Sequence, residues 1–352
     1  MNREATREVP LGKIKVGGKN PVWVEAMGRR YPAEAKECLR EIVAAQEAGC
    51  EIFRIAIPDR DSLEGLKEVK KHVHIPLVAD IHFDLRLGIE AVLLGVDAVR
   101  VNPGTVGNKA DFEKLLETVK LKNTALRLGA NTGSVPPRFK NKDRVKALFE
   151  SIEESVGVAE GKGIHNIILS AKSTDVEETI SIYEKLASTF SYPLHVGLTE
   201  AGSGLEGITK SVVALGILLR EGIGNNIRIS LTASQPVLET RVAWALLESL
   251  GLRYRNIQII SCPTCARRRG NVVSLVHGLR RMTQTLWLET PLTVAIMGCE
   301  VNGPGEAKGA DWGLALSKNC KAVLFAKGEI VEVVPQEIAL TKLLQRIREN
   351  IQ

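Results

Sequence analysis

Short β-branched runs alternate with stretches of helical periodicity through the first 250 residues. The runs predict strands at 22–27, 52–57, 77–81, 98–101, 125–128, 167–170, 194–198 and 227–231. Between them, apolar residues recur at helical spacing over 33–48, 63–72, 111–120, 145–162, 176–189, 210–221 and 239–250, with Gly95, Gly163 and Gly251 placed as helix stops. Strand–helix alternation of this length predicts an α/β chain whose N-terminal part is a (β/α)8 TIM barrel. An open doubly wound sheet would give a similar local pattern. After Gly251 the rhythm changes, with strands expected at 257–261, 292–297, 322–325 and 330–334 and helices at 271–286 and 335–350. This reads as a small α+β domain, so the boundary is drawn between a barrel of residues 1–252 and a second domain of 253–352. No internal repeat or low-complexity segment is visible.

At 352 residues and 44% hydrophobic, the chain is longer than one core usually grows, which agrees with two domains. Its start lacks the apolar run of a secretion signal, and no uncharged apolar stretch approaches the ~18 residues of a membrane span. A cytoplasmic protein with no membrane partner is expected. A net charge of +6 suits anionic substrates or acidic partner proteins and is no argument for nucleic acid. Six cysteines are too few for a disulfide scaffold in a chain of this length, and a Cys-x-x-Cys spacing then points to metal or redox chemistry.

That spacing occurs in Cys262-Pro-Thr-Cys265, followed 34 residues past the second thiol by Cys299-Glu-Val-Asn-Gly-Pro-Gly-Glu306. Three soft thiolates, Cys262, Cys265 and Cys299, would share a metal centre with one harder carboxylate, Glu306, which exchanges more readily for water or a substrate oxygen. Cys38 and Cys50 read as buried packing residues, and Cys320 lies 21 residues after Cys299 without a partner motif. The run Arg267-Arg268-Arg269 is either a solvated turn or a docking point for an acidic electron carrier.

In a barrel the active site lies at the C-terminal ends of the strands, and here those ends are polar. They carry Arg54, then Asp80 and His82, Arg100 and Asn102, Arg127 and Asn131, Lys172, His195 with Glu200, and Thr232. Arginines with nearby glycine amides make a phosphate cradle, so a small polyanion, a diphosphate, is the expected substrate. Each arginine could instead be an interior ion-pair residue, and His82 and His195 could be hydrogen-bonded core histidines.

Taken together, Ala79-Asp-Ile-His-Phe83, Arg100-Val-Asn-Pro-Gly104, Tyr192-Pro-Leu-His195, Thr199-Glu-Ala-Gly202, the Cys-Pro-Thr-Cys motif and Asn302-Gly-Pro-Gly-Glu306 resemble the 4-hydroxy-3-methylbut-2-enyl diphosphate synthases of the non-mevalonate isoprenoid pathway. The resemblance runs in order along essentially the whole chain. It implies a barrel followed by a [4Fe–4S] domain, without the extra middle domain of longer members. It also implies reductive opening of 2-C-methyl-D-erythritol 2,4-cyclodiphosphate with electrons from ferredoxin or flavodoxin. Carried over by motif, Cys262, Cys265, Cys299 and Glu306 would hold the cluster. Arg54, Arg100, Asn102, Arg127, Asn131 and Lys210 would bind the cyclic diphosphate, while Asp80, His82, Glu200, Thr232 and Glu306 would act at the reacting skeleton. The short segment after Leu250 is expected to leave the cluster away from its own strand-end rim. A second subunit of a homodimer would then supply it, an arrangement the family also has.

Three stretches depart from the family's pattern: Glu25-Ala-Met-Gly-Arg-Arg-Tyr-Pro32 stands where a Ser-Met-Thr-Asn-Thr-like run is usual, Ala233-Ser-Gln-Pro236 replaces an acidic stretch, and Leu314–Cys320 replaces a glycine-rich one. The alternatives are a diverged paralogue acting on another phosphorylated substrate with a structural zinc or iron–sulfur domain, and a nucleic-acid module using Arg267–Arg269. Serine at Cys262, Cys265 or Cys299 is expected to abolish both iron content and reduction, whereas Cys320→Ser retains both. Iron analysis of anaerobically purified variants checks this, and equal loss at Cys320 would contradict the three-thiolate set.

Overall fold

The computed structural model describes residues 2–351 apart from 107–108, 140, 233–234, 256, 284–290, 301–304 and 306. The chain forms two compact units, Met1–Leu250 and Gly251–Gln352.

The first unit opens with a hairpin, β1 (Val9–Leu11) and β2 (Ile14–Val16). There follow β3 (Trp23–Met27), α1 (Ala35–Glu47), β4 (Ile52–Ala56), α2 (Arg60–His72), β5 (Leu77–Ile81), α3 (Leu85–Leu93), β6 (Ala98–Val101) and α4 (Lys109–Lys122). The second half continues with β7 (Ala125–Asn131), α5 (Arg144–Gly161), β8 (Ile167–Lys172), α6 (Val176–Thr189), β9 (His195–Val196), α7 (Gly204–Arg220), β10 (Asn226–Ile227) and α8 (Pro236–Ser249). All the pairings from β3 to β10 are parallel, in the order β8-β7-β6-β5-β4-β3-β10-β9. A parallel bridge between Leu169 and Leu194 joins the two ends, so the sheet closes into the expected barrel. Branched residues such as Ile42, Leu66, Leu115, Ile152 and Leu215 fill the layer between strands and helices.

The hairpin shuts one end. Val9, Leu11 and Val16 form a separate apolar cluster with Ile52, Val78, Ala98, Ala125 and Ile168, each within the first two residues of its strand. The N-terminal mouth is therefore dry, and polar residues inside the ring belong to the other end.

Several elements differ from expectation. Helix α3 has no place in the periodicity because its nine residues, Leu-Arg-Leu-Gly-Ile-Glu-Ala-Val-Leu, are apolar on more than one face. Its start is set by Asp84, whose carboxylate accepts the Arg86 N–H at 3.1 Å. Strands β9 and β10 are two residues each, shorter than the expected 194–198 and 227–231. Beyond β10 the backbone bonds elsewhere: Leu231 N–H donates to the Glu239 carboxylate at 2.8 Å and Thr232 N–H to Gly202 O at 2.9 Å.

The second unit contains β11 (Gln258–Ser261), α9 (Val272–Thr283), β12 (Thr293–Met297), β13 (Trp312–Leu316), β14 (Lys321–Ala326), β15 (Glu329–Pro335) and α10 (Gln336–Ile351). The strands lie in sequence order, parallel from β11 to β13 and antiparallel from β13 to β15. Strand β13 is absent from the sequence reading because Gly313 breaks its pattern. That glycine is required, since a Cβ there would lie 2.1 Å from the Phe325 ring. Val294, Ile296, Leu314 and Leu324 pack against Leu343 and Ile347 of α10.

Leu11 is fully buried in the plug, so Leu11→Ala is expected to destabilise the chain by about 2–5 kcal/mol, measured by equilibrium urea unfolding.

Candidate active site and metal centre

Asp80 on β5 is in register with Arg100 on β6, and Arg100 with Arg127 on β7. Register partners in a parallel pair share a face, so these three side chains form one row inside the barrel. Arg100 donates to Asp80 at 3.0 Å and, through Nη2, to Gly129 O at 2.9 Å. Its Nη1 also stands 2.9 Å from His82 Nε2, and because a guanidinium has only protons to offer, His82 accepts there. Arg54 lies 3.8 Å from Asp80 and donates to Met27 Sδ at 2.8 and 3.2 Å. Burial alone would raise the pKa of Asp80, but the pull of Arg54 and Arg100 outweighs it and leaves the carboxyl well below its ordinary value.

Arg127 is fully buried and held by Glu25 of β3 in a two-pronged pair at 2.7 and 2.6 Å. Burial opposes the Glu25 charge, yet Arg127, with Arg54 and Lys172 nearby, keeps its pKa lowered. Arg127 Nε has no hydrogen-bond partner. The three arginines that the sequence placed at a strand-end rim are thus brought together, but as an interior layer, and two of them already hold carboxylates.

The opposite side of the ring adds more cations. Lys172, at the end of β8, is 5% exposed, and its Nζ donates to His195 Nε2 at 3.0 Å. His195 is fully buried and turns Nδ1 towards Asn226 Oδ1. Burial lowers the pKa of both Lys172 and His195, and the surrounding arginines lower them further. Arg228, just past β10, is pushed down to about 10 by burial and by Arg54. Among the described residues, the ion pairs of Arg54, Arg100, Arg127 and Arg228 are made with three carboxylates, Asp80, Glu25 and Glu239. The interior is short of negative charge.

The Gly28-Arg29-Arg30 loop is pinned to this layer. Gly28 N–H donates to Arg54 O at 2.9 Å, and one oxygen of Glu41 accepts from the N–H groups of Arg29 at 2.9 Å and Arg30 at 3.3 Å. Arg29 Nη2 reaches Leu231 O at 2.6 Å and the buried Glu239 at 2.7 Å, joining the loop after β3 to the loop after β10. Sequence reasoning missed Glu25, Arg228 and Glu239. The signal for Glu25 and Arg228 was present, a charge inside an apolar run, the same one that singled out Arg54 and Arg100.

The remaining candidates surround this layer. Asn102 is buried, donating to Ser134 Oγ at 2.6 Å and accepting from Gly104 N–H at 2.9 Å. Gly104 must be glycine, since a Cβ would meet Ser134 O at 1.5 Å. Asn131 is half-buried at the end of β7. Glu200 is exposed in the loop after β9 with φ of 50°, and Thr232 is exposed and tied to Gly202. Lys210 is exposed on α7.

In the second unit, parallel register builds the metal edge. Ser261 pairs with Ile296, so Cys262 directly follows β11 and Cys299 lies two residues past the end of β12. Gly298 N–H donates to Cys262 Sγ at 3.1 Å, and a Cβ on Gly298 would lie 3.0 Å from that sulfur. The turn of Cys265 folds back through Arg269 N–H to Gly298 O at 2.7 Å, with Thr264 at φ 60°. The turn that holds Cys320 joins β13 to β14 at this same edge, and Ser317 in that turn donates to Glu300. Among the described residues no three acidic, thiol or imidazole groups already form a closed cage, and Glu306 and Asn302 lie outside them. Thiols at one sheet edge, one of them accepting a backbone N–H, fit an iron–sulfur cluster.

A family model described as the GcpE TIM-barrel domain matches residues 6–244, and one described as the GcpE protein C-terminal domain matches 258–349. The 4-hydroxy-3-methylbut-2-en-1-yl diphosphate synthase (flavodoxin) of Caldanaerobacter subterraneus subsp. tengcongensis is 41% identical over 352 residues, covering 99% of this chain and 98% of the relative. The protein of that name from Nitratidesulfovibrio vulgaris is 42% identical over 338 residues, 95% of this chain and 86% of its own. Among solved structures, a Yersinia pestis dihydropteroate synthase is similar with a TM-score of 0.51 at 12% identity, over 69% of this chain and 98% of that one. This last likeness concerns the barrel fold alone.

Glu25→Ala would strand the Arg127 charge in the interior. The expected cost is about 3–5 kcal/mol in urea unfolding, and a loss under about 1 kcal/mol would show that the pair carries no such burden.

Proposed function

The chain belongs to the GcpE family of 4-hydroxy-3-methylbut-2-en-1-yl diphosphate synthases, oxidoreductases of isoprenoid biosynthesis, and we propose how its own residues serve that reaction. The substrate is 2-C-methyl-D-erythritol 2,4-cyclodiphosphate, opened reductively with loss of a hydroxyl. The observation that carries this reading is that, among the described residues, the interior layer sets four arginines, Arg54, Arg100, Arg127 and Arg228, against three carboxylates, Glu25, Asp80 and Glu239. A cyclic diphosphate brings the missing negative charge.

Arg54 and Arg100, with Asn102, Asn131 and Lys210, bind the two phosphoryl groups, and Arg127 adds its charge from the interior. Asp80 holds Arg54 and Arg100 in place while His82, tied to Arg100, faces the partly open side of the row. Glu200 and Thr232 stand on loops joined by the Thr232–Gly202 hydrogen bond and contact the carbon skeleton. Cys262, Cys265, Cys299 and Glu306 hold a [4Fe–4S] cluster, which when bound supplies electrons and a Lewis-acidic iron for removal of the hydroxyl. Gly298 N–H steadies the Cys262 sulfur, and Glu306 guards the fourth position.

The exposed Arg267, Arg268 and Arg269 beside Cys265 suit an acidic electron carrier, and flavodoxin is the donor in the names of the relatives. The working form is a cytoplasmic homodimer in which each barrel uses the partner's cluster domain. No helix among the described residues is long and apolar enough to cross a membrane.

Under anaerobic conditions with reduced flavodoxin, the protein is expected to convert the cyclic diphosphate to 4-hydroxy-3-methylbut-2-enyl diphosphate. Arg100→Ala should weaken substrate binding by roughly 2–4 kcal/mol with iron content unchanged. No turnover by iron-replete protein, or unchanged affinity in the variant, would count against this reading.

A further inference from the structure

Among the described residues buried in the barrel interior, one side chain is an amine. Arg54, Arg100, Arg127 and Arg228 are guanidinium groups, which keep their protons in proteins. Lys172 is an amine.

Lys172 sits at the end of β8 in register with Asn131 of β7, at the level of the candidate substrate groups. Its Nζ has one described hydrogen bond, to His195 Nε2 at 3.0 Å. His195 Nδ1 faces the carbonyl oxygen of Asn226, which only accepts, so Nδ1 bears the proton and Nε2 offers a lone pair to the lysine. One neutral acceptor is poor company for a buried ammonium with three protons.

The groups around it tell the same way. Glu25 of β3 is the carboxylate that reaches it, but both Glu25 oxygens are taken by Arg127 at 2.7 and 2.6 Å. Arg54 of β4, Arg127 of β7 and Arg228 after β10 all repel a positive charge there, and burial opposes it more strongly still. His195 of β9 is neutral. The pocket that the substrate's charge would fill is thus the one that leaves Lys172 without a counter-ion.

We propose that Lys172 is uncharged while the barrel holds no anion and takes a proton from solvent when the cyclic diphosphate binds, so that a proton enters with the substrate. This rests on the substrate assigned above. The change of charge means that Lys172 costs little repulsion in the empty enzyme and adds attraction when the ligand is present. The ligand is a clean probe, because each of its phosphorus atoms has a single, strongly acidic oxygen and neither titrates near neutral pH. Affinity should fall as pH rises, by about tenfold per unit in the window above the lysine's pKa in the free enzyme and below that in the complex.

The test is calorimetric titration of the holoenzyme, without reductant, with 2-C-methyl-D-erythritol 2,4-cyclodiphosphate in buffers of differing ionisation enthalpy at pH 8. The wild type is expected to take up roughly one proton per chain on binding. Lys172→Met and Lys172→Arg, one never charged and the other always charged, should both bind with heats independent of the buffer. Buffer-independent heat in the wild type, or proton uptake that persists in Lys172→Met, overturns the proposal and leaves the substrate assignment standing. No binding at any pH overturns the substrate assignment and this inference with it.

Discussion

Guanidinium groups enclosed by a ring of strands repel one another through a medium far less polar than water, and the barrel interior is arranged around that repulsion. Arg100 and Arg127 come from neighbouring strands, Arg54 lies one strand further on beyond β5, and the parallel register fixes their spacing so that they cannot separate. Carboxylates divide the load. Glu25 takes Arg127 in a two-pronged pair, Asp80 stands between Arg54 and Arg100, and Glu239 answers Arg29 and Arg228. What remains uncompensated is the attraction for an anion, stored when the barrel folds. Folding therefore does part of the work of binding.

The two ends of the barrel play opposite parts. At the N-terminal end the hairpin of β1 and β2 packs Val9, Leu11 and Val16 against the starts of β4 to β8 in an apolar plug. At the other end, loops hold the charged layer by backbone bonds as well as side chains: Gly28 to Arg54, Thr232 to Gly202, Leu231 to Glu239. Arg29 spans two of these loops, joining the stretch after β3 to the one after β10.

How much of this could be read beforehand depends on whether the cause was local. All eight barrel strands, the change of rhythm after Gly251 and the thiol motif were legible, since alternation and spacing act over a few residues. Strand β13 and helix α3 were not, because Gly313 and the Leu-rich faces of α3 hide the period. The largest gap concerned partners. Glu25 and Arg127 are 102 residues apart, and nothing near either one says that they meet. Periodicity tells which way a side chain points; only closure of the ring tells what it finds there. That is why arginines expected at an open rim prove to be interior residues with carboxylates already in hand.

The second unit meets the opposite electrostatic problem by the same geometric means. There the parallel pairing of β11 with β12 brings Cys262 and Cys299 to one edge, and Gly298 gives up its side chain so that its N–H can reach the sulfur. Deprotonated thiols gathered in this way would repel one another as the guanidiniums do, and a cationic cluster relieves them as a diphosphate relieves the barrel. Each unit would thus suit a guest of opposite charge, an anion in the one and a cationic centre in the other. In both, strand register rather than proximity in sequence decides which charges must wait for it.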